Sequence, residues 1–387
     1  MPPDPTAFTG APPLCSAVSR HADPAAAVAE LGEALRHPAL GFVLFFCSAD
    51  YPLEDLSRAI THTFGRLPVV GCTTAGEISP TGYERGCIVA IGFARGAFAV
   101  ATALVADLDR FDLLAAQRLV DGLLERCRPE APAGAERFAL TLLDGLSSRE
   151  EQVLATLEAA LGRIPGFGGS AGDDNRLART HVYAEGHFHS RAAVVVMVAT
   201  RLPFEVFTTH HLQPLDHKLV VTRADSATRR VLELNALPAA EEYARLVGVP
   251  VAALDAQAFA LHPLAVRIAD AHYVRSVQRV NPDGSLSFYC AVETGIVLTA
   301  MRPTPMLEQL EVVFDGLAQR LGEPALVIGC DCFLRRLEIE ARGELAAASR
   351  LLARGRVIGF NTYGEQHHGM HLNQTFTGVA IGSATSA

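Results

Sequence analysis

One pattern occurs three times along this chain, and it constrains the fold more than any other feature. An apolar run leads into a helical stretch, a second short apolar run, a glycine turn and a closing apolar run. In the first copy, residues 42–47 read as a strand, and Leu53, Leu56, Ile60 and Phe64 share one helical face. Residues 67–70 lead into the turn Gly71-Cys72-Thr73-Thr74-Ala75-Gly76-Glu77, and residues 87–93 close the unit. In the second, residues 138–143 precede a helix over 150–161, the turn Gly166-Phe167-Gly168-Gly169-Ser170-Ala171-Gly172-Asp173 and a strand over 192–198. In the third, residues 325–329, a helix over 345–354, the turn Gly359-Phe360-Asn361-Thr362-Tyr363-Gly364-Glu365 and residues 376–381 repeat the order. Glycine serves where the backbone takes positive φ or another segment packs against it. One such turn would only join two strands; three at comparable places mark an internal repeat.

Between the second and third copies the texture changes. Residues 204–211 and 218–222 read as strands, and 239–246 as a short helix. Residues 263–280 and 287–299 read as paired strands about Asn281-Pro282-Asp283-Gly284. A helix carrying Met306, Leu310, Val313, Phe314 and Leu317 follows. The division expected is a flexible tail over 1–23, an N-terminal domain over 24–230 and a C-terminal domain over 231–387. The fold class expected is α/β, with mixed sheets inside outer helices, layered as two sheets between helices (αββα). The two parts would face each other, with the glycine turns lining a shared cleft.

Composition narrows the function. Of 387 residues 49% are hydrophobic, so a large core is available, and the net charge of −9 argues against a broad nucleic-acid surface. The N-terminal stretch lacks the basic and apolar regions of a secretory signal. No apolar run approaches the roughly 18–20 residues that span a bilayer. The eight cysteines lie mostly in apolar runs, where free thiols are buried hydrophobes. These features together predict a cytoplasmic protein.

The chemical motifs are few. Residues 166–172 echo a dinucleotide fingerprint, but Asp173-Asp174-Asn175 follows where a helix should open. Cys330-Asp331-Cys332 lacks the spacing of a zinc or redox pair, though Arg335 and Arg336 lie close enough in sequence to activate a thiol. No nucleophile–base pair is visible, so no enzymatic activity is expected. Histidines cluster after the last glycine turn, as His367, His368 and His371. Neutral imidazole is a common metal ligand.

These motifs together resemble the FIST family of sensory proteins. The resemblance runs from about residue 25 to 383. It rests on Gly71 to Glu77, Gly168-Gly169-Ser170-Ala171-Gly172-Asp173, Val221-Thr222-Arg223-Ala224-Asp225 with Leu232-Glu233-Leu234-Asn235, Cys330 with Arg335, and Val357 through Tyr363-Gly364-Glu365 to Asn373-Gln374-Thr375. Tyr363-Gly364-Glu365-Gln366 followed by Met370-His371-Leu372-Asn373-Gln374-Thr375 is most similar to the nitric-oxide-sensing, haem-binding branch of the family. That likeness implies non-covalent haem b, with iron on His371 or, alternatively, His367 or His368. Met370, Asn373, Gln374, Tyr363 and Glu365 would lie around the cofactor. It further implies nitric oxide as ligand and a partner histidine kinase or cyclic-nucleotide enzyme, with a homodimer as a further expectation. The alternative within the family is a sensor of a small organic ligand such as an amino acid, without haem.

Overall fold

Each of the three repeats builds most of one six-stranded sheet and borrows the rest from a neighbour. The computed structural model describes residues 12–383. The first sheet runs Leu14–Ser19, Ile88–Ala94, Leu40–Ser48, Val69–Thr74, Val182–Ala184, His187–His189. The second runs Phe98–Val105, Ala193–Thr200, Glu136–Leu143, Gly166–Ser170, Glu365–His367, Met370–Leu372. The third runs Phe204–Thr209, Phe376–Gly382, Pro324–Cys332, Val357–Thr362, Glu77–Ser79, Gly82–Glu84. In each sheet the two strands joined through helix are parallel and the other pairings are antiparallel. A parallel pair needs a crossover. Leu53–Phe64, Glu150–Leu161 and the pair Phe333–Ala341 with Leu345–Arg354 supply it.

The last two strands of every sheet form a hairpin from another repeat. The first repeat lends Glu77–Ser79 and Gly82–Glu84 to the third sheet, the third lends Glu365–His367 and Met370–Leu372 to the second, and the second lends Val182–Ala184 and His187–His189 to the first. The exchange is cyclic, so the glycine turns carry the chain across a pseudo-threefold axis. There they interlock through the backbone: Ala75 N–H donates to Asn361 O at 2.9 Å, Gly172 N–H to Thr73 O at 3.0 Å, and Ser170 N–H to Gly364 O at 2.8 Å. A side chain at Gly172 would place its Cβ 2.6 Å from the Ala75 nitrogen. Close approach, not positive φ, is what demands glycine there.

The inner faces of all three sheets share one apolar core, including Phe46, Phe138, Val196, Ile328 and Phe360. Phe46 and Phe360 stack with centroids 4.4 Å apart. Helices cover each outer face, giving separate clusters around Leu31 and Leu56, Val120 and Leu157, and Leu310 and Leu352. The mixed α/β class with outer helices is as expected. The two-sheet layering is not: three sheets surround one core.

The third repeat is interrupted. Its first strand is Phe204–Thr209 and its first helix Met306–Leu321; between them lies an eight-stranded sheet bounded by Leu212–Asp225 and Val297–Pro303, which pair with each other. Ala239–Val247 and Ala256–Leu261 cover one face, packing Tyr243 and Phe259 against Leu219, Leu264 and Leu298. The chain enters and leaves this inserted sheet side by side, with Thr304 N–H donating to His211 O at 2.8 Å. The expected tail also needs correction. Leu14–Ser19 is an edge strand paired with Ile88–Ala94, and Asp23 caps the helix Pro24–Ala34; residues 1–11 lie outside the described part. Among the described residues no helix is long and apolar enough to cross a membrane.

Candidate functional site

The three turns do converge, but the space between them is filled. Ala75 and Tyr363 from the turns pack with Tyr289 and Ala260 from the inserted sheet and with Phe333. Tyr363 lies 5.9 Å from Tyr289 and 5.3 Å from Phe333, centroid to centroid. Its hydroxyl donates to Asp173 of the second turn. The shared cleft is therefore an aromatic plug.

The acids that end the turns are structural. Glu365 accepts from Thr362, from Thr375 N–H at 3.0 Å and from the Thr375 hydroxyl at 2.9 Å. Burial pushes its carboxyl up to about 7 against those bonds. Glu77 repeats this with Thr74 and Cys87, and it too is pushed up to about 7, by burial. Asn373 Oδ1 accepts from Ser276 N–H at 3.3 Å, and Gln374 Nε2 donates to Phe259 O and Ala260 O. These two residues fasten the third repeat to the inserted sheet.

His371 is sealed. Its side chain is 0% exposed, with Nε2 3.6 Å from Glu150 and Nδ1 3.4 Å from Glu151. Arg229, from the inserted sheet, bonds Glu150 at 2.8 Å and also Glu151. Burial opposes a charged ring, but Glu150 and Glu151 outweigh it and raise the His371 pKa. A Cβ at Gly364 would fall 1.8 Å from Nε2, so the ring lies directly on that glycine. His371 is thus clamped between two carboxylates, with Glu151 on Nδ1 and Glu150 beside Nε2, the nitrogen an iron would need. Nε2 has no hydrogen-bond partner, yet the space beside it is taken by Glu150 and Gly364. These residues do not fit a haem at His371. Met370 sits exposed on the same hairpin. His367 and His368 stand at its tip, 4.3 Å apart, and burial pushes His367 down to about 4. Among the described residues no cluster of three or more His, Cys, Asp or Glu is placed to hold a metal ion. Cys330 and Cys332 are fully buried, and burial drives both thiols well above their ordinary range.

The open site lies elsewhere, on the first repeat. A groove of about 1100 Å³ runs between the helix Leu53–Phe64 and a wall built by the second repeat. The helix presents Glu54, Ser57, Arg58, Thr61 and His62, spaced for one face. The wall is the stretch 173–181 with the hairpin residues Gly186, His187 and Phe188. In the first and third repeats the turn acid opens the hairpin directly, as Glu77 and Glu365 do. In the second, residues 174–181 intervene between Asp173 and Val182. The groove forms where the repeat is broken. Asp173 organises this stretch, accepting from Leu177, Ala178 and Arg179 N–H at 2.9, 2.7 and 2.8 Å. None of the groove cations belongs to the predicted site. The signal in the sequence was the extra Asn175-Arg176-Leu177-Ala178-Arg179 after the second turn, which has no counterpart in the other copies.

The fold and groove define an α/β protein of three interlocked repeats with a ligand-sized recess and a sealed turn centre. The chain belongs to the FIST family: the FIST N domain matches residues 41–237 and the FIST C domain residues 239–368. FIST domains are sensory domains of signalling proteins. No curated protein matches the chain. Two solved structures share a weak likeness. PurLQS from Thermotoga maritima is 10% identical over 96% of this chain and 72% of that one, with a TM-score of 0.20. T. maritima PurL complexed with FGAR is 11% identical over 98% and 76%, with a TM-score of 0.21. At these scores they bear on neither fold nor activity.

Proposed function

We propose that this protein is a non-catalytic sensor that binds a small organic ligand in the groove between Leu53–Phe64 and residues 173–188, and acts through a separate signalling protein. The observation that carries this reading is the break in the repeat at 173–181. It builds a recess of a size that suits small molecules, while the turn centre is plugged. A bound ligand would touch a stretch that also contacts the inserted sheet, because Leu177 packs in the cluster of Tyr289 and Tyr363. Hydrogen exchange of the full chain with and without a library of amino acids and organic acids tests the reading. Protection confined to 53–62 and 173–188 is expected; protection only around 363–375 would overturn it.

The narrower reading is a haem-based nitric oxide sensor regulating a histidine kinase. It draws on the Met370-His371 resemblance, and the clamped ring at His371 speaks against it. An absorption spectrum after haem addition decides between the two. No Soret band is expected, and a band abolished in His371→Ala would restore haem.

A further inference from the structure

The partners left free in the groove define what it selects. Three arginines line it, and two are already engaged. Arg58 pairs with Asp55 on its own helix, and Arg176 pairs with Asp50. Arg179 makes no ion pair and no side-chain hydrogen bond among the described residues. Asp173 forms no ion pair with it; its carboxylate accepts from three backbone N–H groups and from the Tyr363 hydroxyl. That carboxylate bonds the Arg179 amide and so fixes the backbone from which the guanidinium projects. His181 stands on the same wall, its ring edge-on to Phe188 at 6.4 Å between centroids. Burial keeps this imidazole more neutral than usual, with one donor and one acceptor to offer. Phe188, Leu53 and Ala178 give the groove an apolar side. On the helix side Glu54 is also unpaired among the described residues.

We infer that the groove takes a small organic acid with an apolar body, its carboxylate on Arg179 and its body against Phe188. This rests on the groove being the ligand site. A guanidinium matches a carboxylate in a two-pronged geometry that no neutral group reproduces. Glu54 turns away a second anionic group and tolerates an ammonium, so an α-amino acid is accepted along with a simple acid. A lone amine would meet Arg179 with like charge.

Four probes of similar size separate the claims: 3-phenylpropionate, L-phenylalanine, 2-phenylethanol and 2-phenylethylamine. Binding to the full chain is followed by calorimetry, and its location by hydrogen exchange over 173–188. The two carboxylates are expected to bind, and the alcohol and amine at least about tenfold more weakly, as befits loss of a charge-assisted contact. Arg179→Ala is expected to weaken both acids roughly tenfold and to leave the alcohol unchanged; the side chain is exposed, so the fold should persist. Inorganic phosphate, which lacks the apolar body, is expected not to protect the groove. If the alcohol or amine binds in the groove as well as the acids, or Arg179→Ala changes nothing, the ligand class is wrong while the groove remains the site. If no probe protects 173–188, this ligand class is wrong, and the library screen decides separately whether the groove is the site.

Discussion

Glu77 and Glu365 follow their glycine turns at equivalent places, and each is fully buried. Burial holds both carboxyls at about 7, above their ordinary 4.5. A carboxyl whose folded pKa is raised binds its proton more tightly when folded, so its contribution is complete below about 4.5 and is lost as pH rises through about 7. The size is on the order of 3 kcal/mol for each group at alkaline pH. Glu151 behaves oppositely. Burial alone would raise it, but His371 and Arg229 hold it far below the carboxylate range, so its contribution exists above 4.5 and disappears on acidification. Glu77→Gln and Glu365→Gln keep the shape of the protonated acid. Each variant is expected to match the parent at pH 5 and to exceed it by roughly 2–3 kcal/mol at pH 8, as measured by urea midpoints. Equal pH profiles for variant and parent would show that the carboxyls are ionised without penalty.

At the level of elements, the stretch 173–181 is the least regular part of the repeats. Asp174, Asn175 and Leu177 take φ of 55°, 62° and 54°. Asp and Asn accept this region readily, whereas a leucine there costs about 1–2 kcal/mol. What holds Leu177 is its own amide bond to Asp173 and the packing of its side chain near Tyr289 and Tyr363. Asp173→Ala removes the acceptor of three amides at once. Amides 177–179 are expected to exchange at least about tenfold faster, since a hydrogen bond to a charged group is worth about 1.5–3 kcal/mol. Strands such as Ala193–Thr200 should keep their protection. Ligand binding in the groove should weaken in the same variant, because Arg179 loses its fixed backbone.

Over the whole molecule, the cyclic loan of hairpins means that no repeat completes its own sheet. The first sheet ends on Val182–Ala184 and His187–His189, and the second on Glu365–His367 and Met370–Leu372. The shared core of Phe46, Phe138 and Ile328 binds the three further. The three-sheet body is therefore expected to unfold as one cooperative unit, with calorimetric and van't Hoff enthalpies in agreement. Separate transitions for the repeats would contradict the exchange. The inserted sheet has its own core and is fastened by Arg229 to Glu150 and by Gln374 to Phe259 and Ala260. Arg229→Ala takes the guanidinium from Glu150 and Glu151, leaving the buried Glu150 without that ion pair, and is expected to cost about 3–5 kcal/mol, measurable by denaturant unfolding.

The sequence by itself determined the strand–helix–strand–turn–strand core of the repeat, the glycine turns and the family, because these depend on local spacing and on residues close together in the chain; it did not show the strand and helix that open the first two repeats, Leu14–Ser19 with Pro24–Ala34 and Phe98–Val105 with Leu113–Cys127. It showed residues 204–211 as a strand but not as the start of the third repeat, since the helix that continues the unit begins only at Met306. It gave no sign of the exchanged hairpins, whose strands of three residues are too short to show a period and whose partners lie in other repeats. His371 stood out as a metal-capable side chain, and only the tertiary structure brought Glu150, Glu151 and Gly364 around it. The groove, likewise, exists because Asp173 of one repeat anchors a wall against a helix of another. Chemistry of single residues can be read along the chain; which charges are already satisfied depends on contacts between residues far apart in it.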